Sequence, residues 1–368
     1  MIDTFDLSIL VEPALNWFYE NKRDLPWRQG RNPYGIWVSE ILLQQTRVEA
    51  VIPYYHRFME HLPDIKALAE CPEDRLLKLW EGLGYYNRVR NMQKAAQVIV
   101  EQYGGEMPKT YEEIVSLPGI GPYTAGAIAS IAFSERVPAV DGNVLRILSR
   151  VAEDDRDILK ENTKKSVAAS IKQIMPEASG DFNQALMEIG ALVCIPNGEP
   201  KCDQCPWQFC CKACANKSYD RLPVKTKAKA RRIEERTVLL IRDGEKILLG
   251  KRPTKGLLAG LYELPNVPGY QKKEEVLSFV REQGLVPLQI KELPEAKHIF
   301  SHIEWHMKGY MVQVADVESY HVTDDGRLPS DYLLVELSQV QKEFAIPTAF
   351  EKYTEFVSLS HGPEKNTF

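Results

Sequence analysis

Two domains of different class, an all-helical one and then an α+β one, are expected from three features of this 368-residue chain. Up to about Lys217, apolar residues recur at three- and four-residue spacing, the period of a helix with one buried face. From Tyr219 to about Ile233 the chain is basic and poor in large apolar side chains, as a linker is. Beyond it the period shortens to that of strands and turns. A length of 368 residues fits two or three domains at ~150 residues each, and a hydrophobic content of 44% is enough to build their cores.

In chain order, the helical stretches are Tyr34–Thr46, the Leu76/Leu77/Leu79/Trp80 segment, Met92–Gln102, Tyr111–Ser116, Tyr123–Phe133, Asn143–Val151 and Phe182–Val193. After the linker, Thr237–Ile241 and Lys246–Gly250 flank Asp243-Gly244 and form a hairpin with a tight turn. Lys272–Gln283 has a helical pattern and Trp305–Val314 that of a strand. The domain boundaries that follow are a helical domain over 1–218, a linker over 219–234, an α+β domain over 235–356 and a flexible tail over 357–368. No internal repeat is present.

The first 25 residues carry Asp3, Asp6, Glu12 and Glu20 and no sustained apolar block, and no run of ~18 apolar residues occurs anywhere. A soluble, cytoplasmic protein is the expectation. The net charge of −5 argues against broad electrostatic attraction to nucleic acid, so any such binding has to come from local surface. One basic stretch, Lys225, Lys227, Lys229, Arg231 and Arg232, reads first as a solvated linker. Of seven cysteines only Cys71 stands apart; six lie between Cys194 and Cys214. Disulfides in a small secreted domain would be spread differently, so this cluster reads as a metal site.

Leu117-Pro-Gly-Ile-Gly-Pro-Tyr123 lies between two helical stretches. Gly119 and Gly121 allow a tight turn that aims backbone N–H groups outward at a helix start, where a phosphate can bind without a cationic side chain. Asp141, in Val137-Pro-Ala-Val-Asp-Gly-Asn143, is placed to cap the following helix, the commonest role of such an Asp. A capping carboxylate at the positive end of a helix is expected to stay ionised, which suits the stabilisation of a cation. Glu40 has Ile36, Trp37, Leu43 and Gln44 three and four residues away on its helix. Burial there would raise its pKa and let it hold a proton near neutral pH. One protonated and one charged carboxylate form the pairing that cleaves glycosidic bonds through an oxocarbenium-like state.

Taken together, Val38-Ser-Glu-Ile-Leu-Leu-Gln-Gln-Thr46, Trp80-Glu-Gly-Leu-Gly-Tyr-Tyr86, the Leu117–Tyr123 hairpin, Asp141 in Val-Asp-Gly-Asn and the cysteine cluster resemble the helix-hairpin-helix glycosylase superfamily. Within it, the chain resembles the MutY-type adenine glycosylases along nearly its whole length. The resemblance implies removal of adenine mispaired with 8-oxoguanine, and with guanine, from double-stranded DNA by a monomeric enzyme. It implies that Glu40 protonates adenine and then activates water, and that Asp141, with Asn143 and Tyr123, stabilises the cationic sugar. Trp27, Arg28, Leu43 and Gln184 would line the pocket for the extruded base, which cannot react inside the stack. Gln45 and the Leu83-Gly84-Tyr85 turn would enter the duplex and hold the opposite base. Endonuclease III-type relatives place a lysine where this chain has Tyr123, for Schiff-base strand cleavage. Tyrosine implies base removal alone.

The cysteines run Cys194-x7-Cys202-x2-Cys205-x5-Cys211, one residue longer in the first gap than the family pattern; Pro196, Asn197, Gly198 and Pro200 make that gap a loop able to absorb an insertion. Spacing leaves zinc and iron–sulfur close; the resemblance implies a [4Fe–4S] cluster on these four, with Cys210 and Cys214 extra. The C-terminal part resembles the Nudix-like domain of the same enzymes. Its helix, with only Arg281-Glu282-Gln283-Gly284 where a Nudix hydrolase has its metal-binding carboxylates, opposes nucleotide hydrolysis. Phe300-Ser301-His302 matches the family loop that contacts 8-oxoguanine. A non-catalytic iron–sulfur DNA-binding protein is the alternative from another class, opposed by the intact Glu40 and Asp141.

Overall fold

The computed structural model describes residues 2–226, 230–315, 317 and 332–358. The chain forms two compact units that cut across the sequence order: residues 1–71 with 87–228, and residues 72–86 with 229–368. The residues expected to form a tail fall outside the described ones from 359 onward.

The first unit is helical throughout. Its central helices, Pro33–Leu43, Pro122–Phe133, Gly142–Ala152 and Ser179–Leu192, bury nearly every turn. They can pack that closely because small residues sit at the crossings. A Cβ on Gly126 would collide with the Pro138 carbonyl, and one on Gly180 would lie 2.7 Å from Ile131 Cα. Helix ends are set by side chains: Asp141 accepts from Val144 N at 2.8 Å, and Thr110 and Glu113 form a reciprocal capping box. One core runs from Leu10, Ala14 and Phe18 through Ile147 and Leu186 to Trp207, and Cys194, Cys205, Cys210 and Cys211 pack against it.

The second unit is a mixed sheet of β1 (Arg232–Asp243), β2 (Lys246–Lys251), β3 (Tyr262–Glu263), β4 (Asn266–Pro268), β5 (Val286–Ile299), β6 (Ile303–Ala315) and β7 (Tyr332–Glu336). The order is β3-β2-β1-β6-β5, with β4 on β1 and β7 on β2. β1 and β2 form the expected hairpin, whereas β1 and β6 pair in parallel over Arg232 to Arg242. β1 begins at Arg232, inside the stretch read as linker, because its first residues continue that ladder. One sheet face packs Val276 and Val280 of the Lys273–Glu282 helix; the other holds Trp305, Phe350 and Tyr353.

Residues 72–86 read as part of the helical domain, yet several of their polar ties lie within the sheet unit. Asp74 pairs with Lys251 Nζ at 3.0 Å and accepts from Tyr262 Oη at 3.4 Å. Lys78 Nζ donates to Phe344 O at 3.0 Å, and Glu81 Oε1 accepts from Ile346 N at 2.8 Å. Among the described residues no helix is long and apolar enough to cross a membrane.

Candidate active site and cysteine-lined cavity

A cavity of about 730 Å³ opens in the helical unit, within the range of small-molecule sites. It gathers Trp27, Arg28, Glu40, Leu43, Gln45, Tyr123, Asp141, Asn143 and Gln184, residues the sequence reading named from five separate segments. The Pro33–Leu43 helix carries Glu40. It ends in a turn where Gln45 adopts φ 62°, and Arg88 donates to the Ile41 and Gln44 carbonyls at 2.9 and 2.5 Å. A cation on the negative end of that helix fixes where the helix stops, and so where Gln45 points from.

Glu40 is 6% exposed, and burial pushes its pKa up to about 7. The Tyr123 hydroxyl donates to Oε2 at 2.6 Å and holds the carboxyl down, the nearby Asp141 charge raises it further, and the Arg28 charge lowers it. The same hydroxyl lies 3.1 Å from Met187 Sδ. Tyr123 itself is raised well above its usual range by burial and by the two carboxylates, so it is a donor and not a phenolate.

Asp141 behaves differently from the simple expectation. Burial raises its pKa against hydrogen bonds from Val144 N and from Asn143 Nδ2, the latter at 2.7 Å, and against the Arg146 charge. The capping geometry is as read, but the helix end lies in the interior and not at a solvated surface. Val144 N donates to Oδ1 and Asn143 Nδ2 to Oδ2, and the Asn143 backbone N–H adds to them, so the carboxyl is an acceptor site held inside the cavity.

Three groups that sequence reasoning missed hold this arrangement. Arg146 Nη2 donates to Asn143 Oδ1 at 2.9 Å and to Gly190 O at 2.6 Å, and its Nε to Cys194 O at 3.0 Å. Glu188 accepts from Arg23 at 2.8 and 3.0 Å and from Arg28 at 2.8 Å. Burial alone would raise Glu188, but the two guanidinium groups outweigh it and keep it below the usual carboxylate range. Arg28 is thereby fixed and donates its Nε to Gln184 Oε1 at 2.9 Å. A charged residue three positions from Asn143, and so on the same helix face, was the available signal for Arg146.

The Leu117–Tyr123 segment is a hairpin between the Tyr111–Val115 and Pro122–Phe133 helices. Gly119 has φ 73°, and a Cβ there would overlap the Asn91 side chain, so glycine is required twice over. Gly121 is the N-cap of the second helix.

A second cavity is lined by Cys194, Cys202, Cys205, Cys211 and Cys214, with Ile147, Val151 and Trp207. Burial, reinforced by neighbouring thiols, pushes Cys202 and Cys205 up to about 12 and Cys211 to about 11. Cys210 does not line it; its Sγ faces Trp207 O at 3.5 Å. Among the described residues no three His, Cys, Asp or Glu side chains are set to hold a single metal ion.

The remaining candidates belong to the second unit. Leu83 is buried, Gly84 has φ 65° and its carbonyl accepts from Trp80 Nε1 at 2.9 Å, while Tyr85 is 53% exposed at φ 47°. Phe300, Ser301 and His302 form the turn joining β5 to β6. The Phe300 ring meets Trp305 at 5.0 Å, and Ser301 and His302 are exposed. The structure therefore collects the candidates in four places: the Glu40 cavity, the cysteine-lined cavity, the hairpin and the two loops of the sheet unit.

A buried acid facing a second carboxylate beside a helix–hairpin–helix defines a DNA base-excision enzyme, and residues 38–176 match the HhH-GPD superfamily of base excision DNA repair proteins. Residues 237–355 match the NUDIX domain family. The chain is 37% identical to the adenine DNA glycosylase of Mus musculus, over 82% of this chain and 70% of that one. It is 36% identical to that of Buchnera aphidicola subsp. Baizongia pistaciae, over 80% and 83%. Among solved structures, a thermostable thymine-DNA glycosylase superposes with a TM-score of 0.51 at 28% identity, over 56% of this chain and 96% of that one. The chain belongs to the adenine DNA glycosylase family, hydrolases acting on N-glycosyl bonds.

Proposed function

We propose that this protein is a monofunctional glycosylase that removes adenine paired with 8-oxoguanine, and with guanine, from duplex DNA. The observation that carries the reading is Glu40: a carboxyl in the excision cavity with a pKa near 7, ready both to give and to take a proton at neutral pH. As an acid it protonates the flipped base, and as the resulting carboxylate it accepts a proton from the attacking water. Asp141, held by Val144 N and Asn143, turns its lone pairs to the developing sugar cation. Tyr123 supports the monofunctional reading, since its hydroxyl is engaged with Glu40 and has no amine to form an imine.

The donor set of the second cavity fits a [4Fe–4S] cluster, which would be held by Cys194, Cys202, Cys205 and Cys211 and would brace the loop following the Ser179–Leu192 helix. The Phe300–His302 and Leu83–Tyr85 loops would read the base opposite the adenine. The protein would act as a monomer on chromosomal DNA in the cytoplasm.

The test is incubation with a duplex carrying adenine opposite 8-oxoguanine, with free adenine and strand breaks measured before and after alkali. Adenine release with breaks only after alkali is expected. Strand scission coupled to release and trapped by borohydride refutes the monofunctional reading; no adenine release refutes the function.

A further inference from the structure

The cysteine-lined cavity holds one thiol more than a [4Fe–4S] cluster binds: Cys214 lines it together with Cys194, Cys202, Cys205 and Cys211. Cys211 is the N-cap of the short Lys212–Ala215 helix, and Cys214 follows it by about one turn. The Cys214 backbone N–H donates to Cys211 Sγ, whereas the Cys214 thiol is in hydrogen-bond contact with the thiol of Cys202.

The two thiols in contact are held differently. Cys202 comes after residues 196–199, which are all exposed, and Gly198 among them has φ 79°. Cys214 lies in a helix closed by Ala215 N to Cys211 O at 3.1 Å and Asn216 N to Lys212 O at 2.9 Å. The chain just beyond it is tied to Glu153, through Ser218 Oγ at 2.6 Å and Asn216 Nδ2 at 2.7 Å. A cluster of this kind takes one thiolate per iron, so Cys214 stays a free thiol while the other four are engaged. Loss of Cys202 from its exposed loop opens a position beside the one thiol already touching it. That thiol is tethered by the fold, so its effective concentration there is high.

We propose that Cys214 is a reserve cluster ligand that takes the place of Cys202. In the exchange Cys202 gives up its bond to iron and Cys214 makes one. The Cys214 proton passes across their contact to the departing Cys202 sulfur, and no electron is transferred. Where Cys202 has been oxidised or alkylated, the proton goes to water instead. Cys214 does not serve for Cys211, because its backbone N–H faces that sulfur and its thiol is turned to Cys202. This rests on the reading of the cavity as a [4Fe–4S] site and adds a fifth residue to it.

The experiment uses the full chain, purified anaerobically as the parent, Cys202→Ala, Cys214→Ala, Cys211→Ala and the Cys202→Ala/Cys214→Ala pair. Iron per chain and visible absorbance are measured. Each protein is also alkylated with iodoacetamide before and after a chelator removes the iron, and the labelled cysteines are mapped by mass spectrometry. Cys214→Ala should match the parent. Cys202→Ala should keep its iron within about twofold of the parent, while Cys211→Ala and the pair should lose at least about fivefold. Iron-dependent protection of Cys214 should arise in Cys202→Ala and be absent from the parent. Iron in Cys202→Ala as low as in the pair, iron in the pair as high as in Cys202→Ala, or the same protection of Cys214 in Cys202→Ala and the parent overturns the inference alone. If Cys202→Ala does not fold, Cys202→Ser is read by the same criteria. A parent that holds no iron overturns the cluster assignment, and this inference with it.

Discussion

Replacing Glu40 with Gln separates burial from chemistry, because the two effects have different pH dependences. The carboxyl rises from an ordinary value of 4.5 to about 7 in the folded chain. At 1.36 kcal/mol per unit, the ionised form is disfavoured by at most about 3 kcal/mol relative to the unfolded chain. The folded pKa lies above the unfolded one, so Glu40 imposes no cost below about pH 4.5, a growing cost between 4.5 and 7, and the full cost above 7. Gln has no charged form, and its carbonyl can still accept from Tyr123. The variant should match the parent in urea unfolding at pH 4.5 and exceed it by up to about 3 kcal/mol at pH 8. Excision in a single-turnover assay should fall by roughly 10²–10⁴-fold, the usual worth of a positioned acid–base group. A stability difference that is the same at both pH values would refute the raised pKa. Near-normal excision would remove Glu40 from the reaction whatever its pKa.

Tyr123→Phe deletes the donor to Glu40, so the alkaline limb of the pH–rate profile should move upward while the rate at neutral pH drops by roughly fivefold, the worth of a ~1 kcal/mol hydrogen bond. Gly190→Ala puts a Cβ 2.7 Å from Asn143 Cβ and should displace Asn143 from Asp141; overpacking costs ~1–3 kcal/mol, read by thermal unfolding beside a loss of excision. Iron content and visible absorbance should fall sharply in Cys211→Ser and little in Cys210→Ser, since only the first thiol lines the cavity.

Much of the candidate site was legible because its determinants are local. The burial of Glu40 follows from Ile36 and Trp37 on the same helix face, and Asp141 announces itself as a cap before an amphipathic helix. What was not legible depends on partners far away in the chain. Glu188 looks like any helical glutamate until Arg23 and Arg28, 165 and 160 positions earlier, are brought to it. β5 carries two prolines and scattered charges, so its alternation is hidden, and its pairing with β6 alone makes it a strand. The parallel match of β1 with β6 is likewise a property of the assembled sheet. The direction of the Asp141 shift was missed for a related reason: a cap can be read from three residues, but the depth of the helix end cannot.

The membership of residues 72–86 in the sheet unit has a consequence for how the protein is made. On the ribosome the helical unit can gather itself in order, but this segment must wait for partners that lie beyond Lys229. At 5–20 residues per second, that wait runs to roughly 10–50 seconds. During it, Asp74, Lys78 and Glu81 have none of their contacts to Lys251, Phe344 and Ile346. A nascent chain stalled or cut within the linker therefore carries a segment that lacks these three contacts, and the cut product is not the helical unit alone. Separating the two units by genetic means would require carrying 72–86 along with the later half, by circular permutation or by excision and grafting.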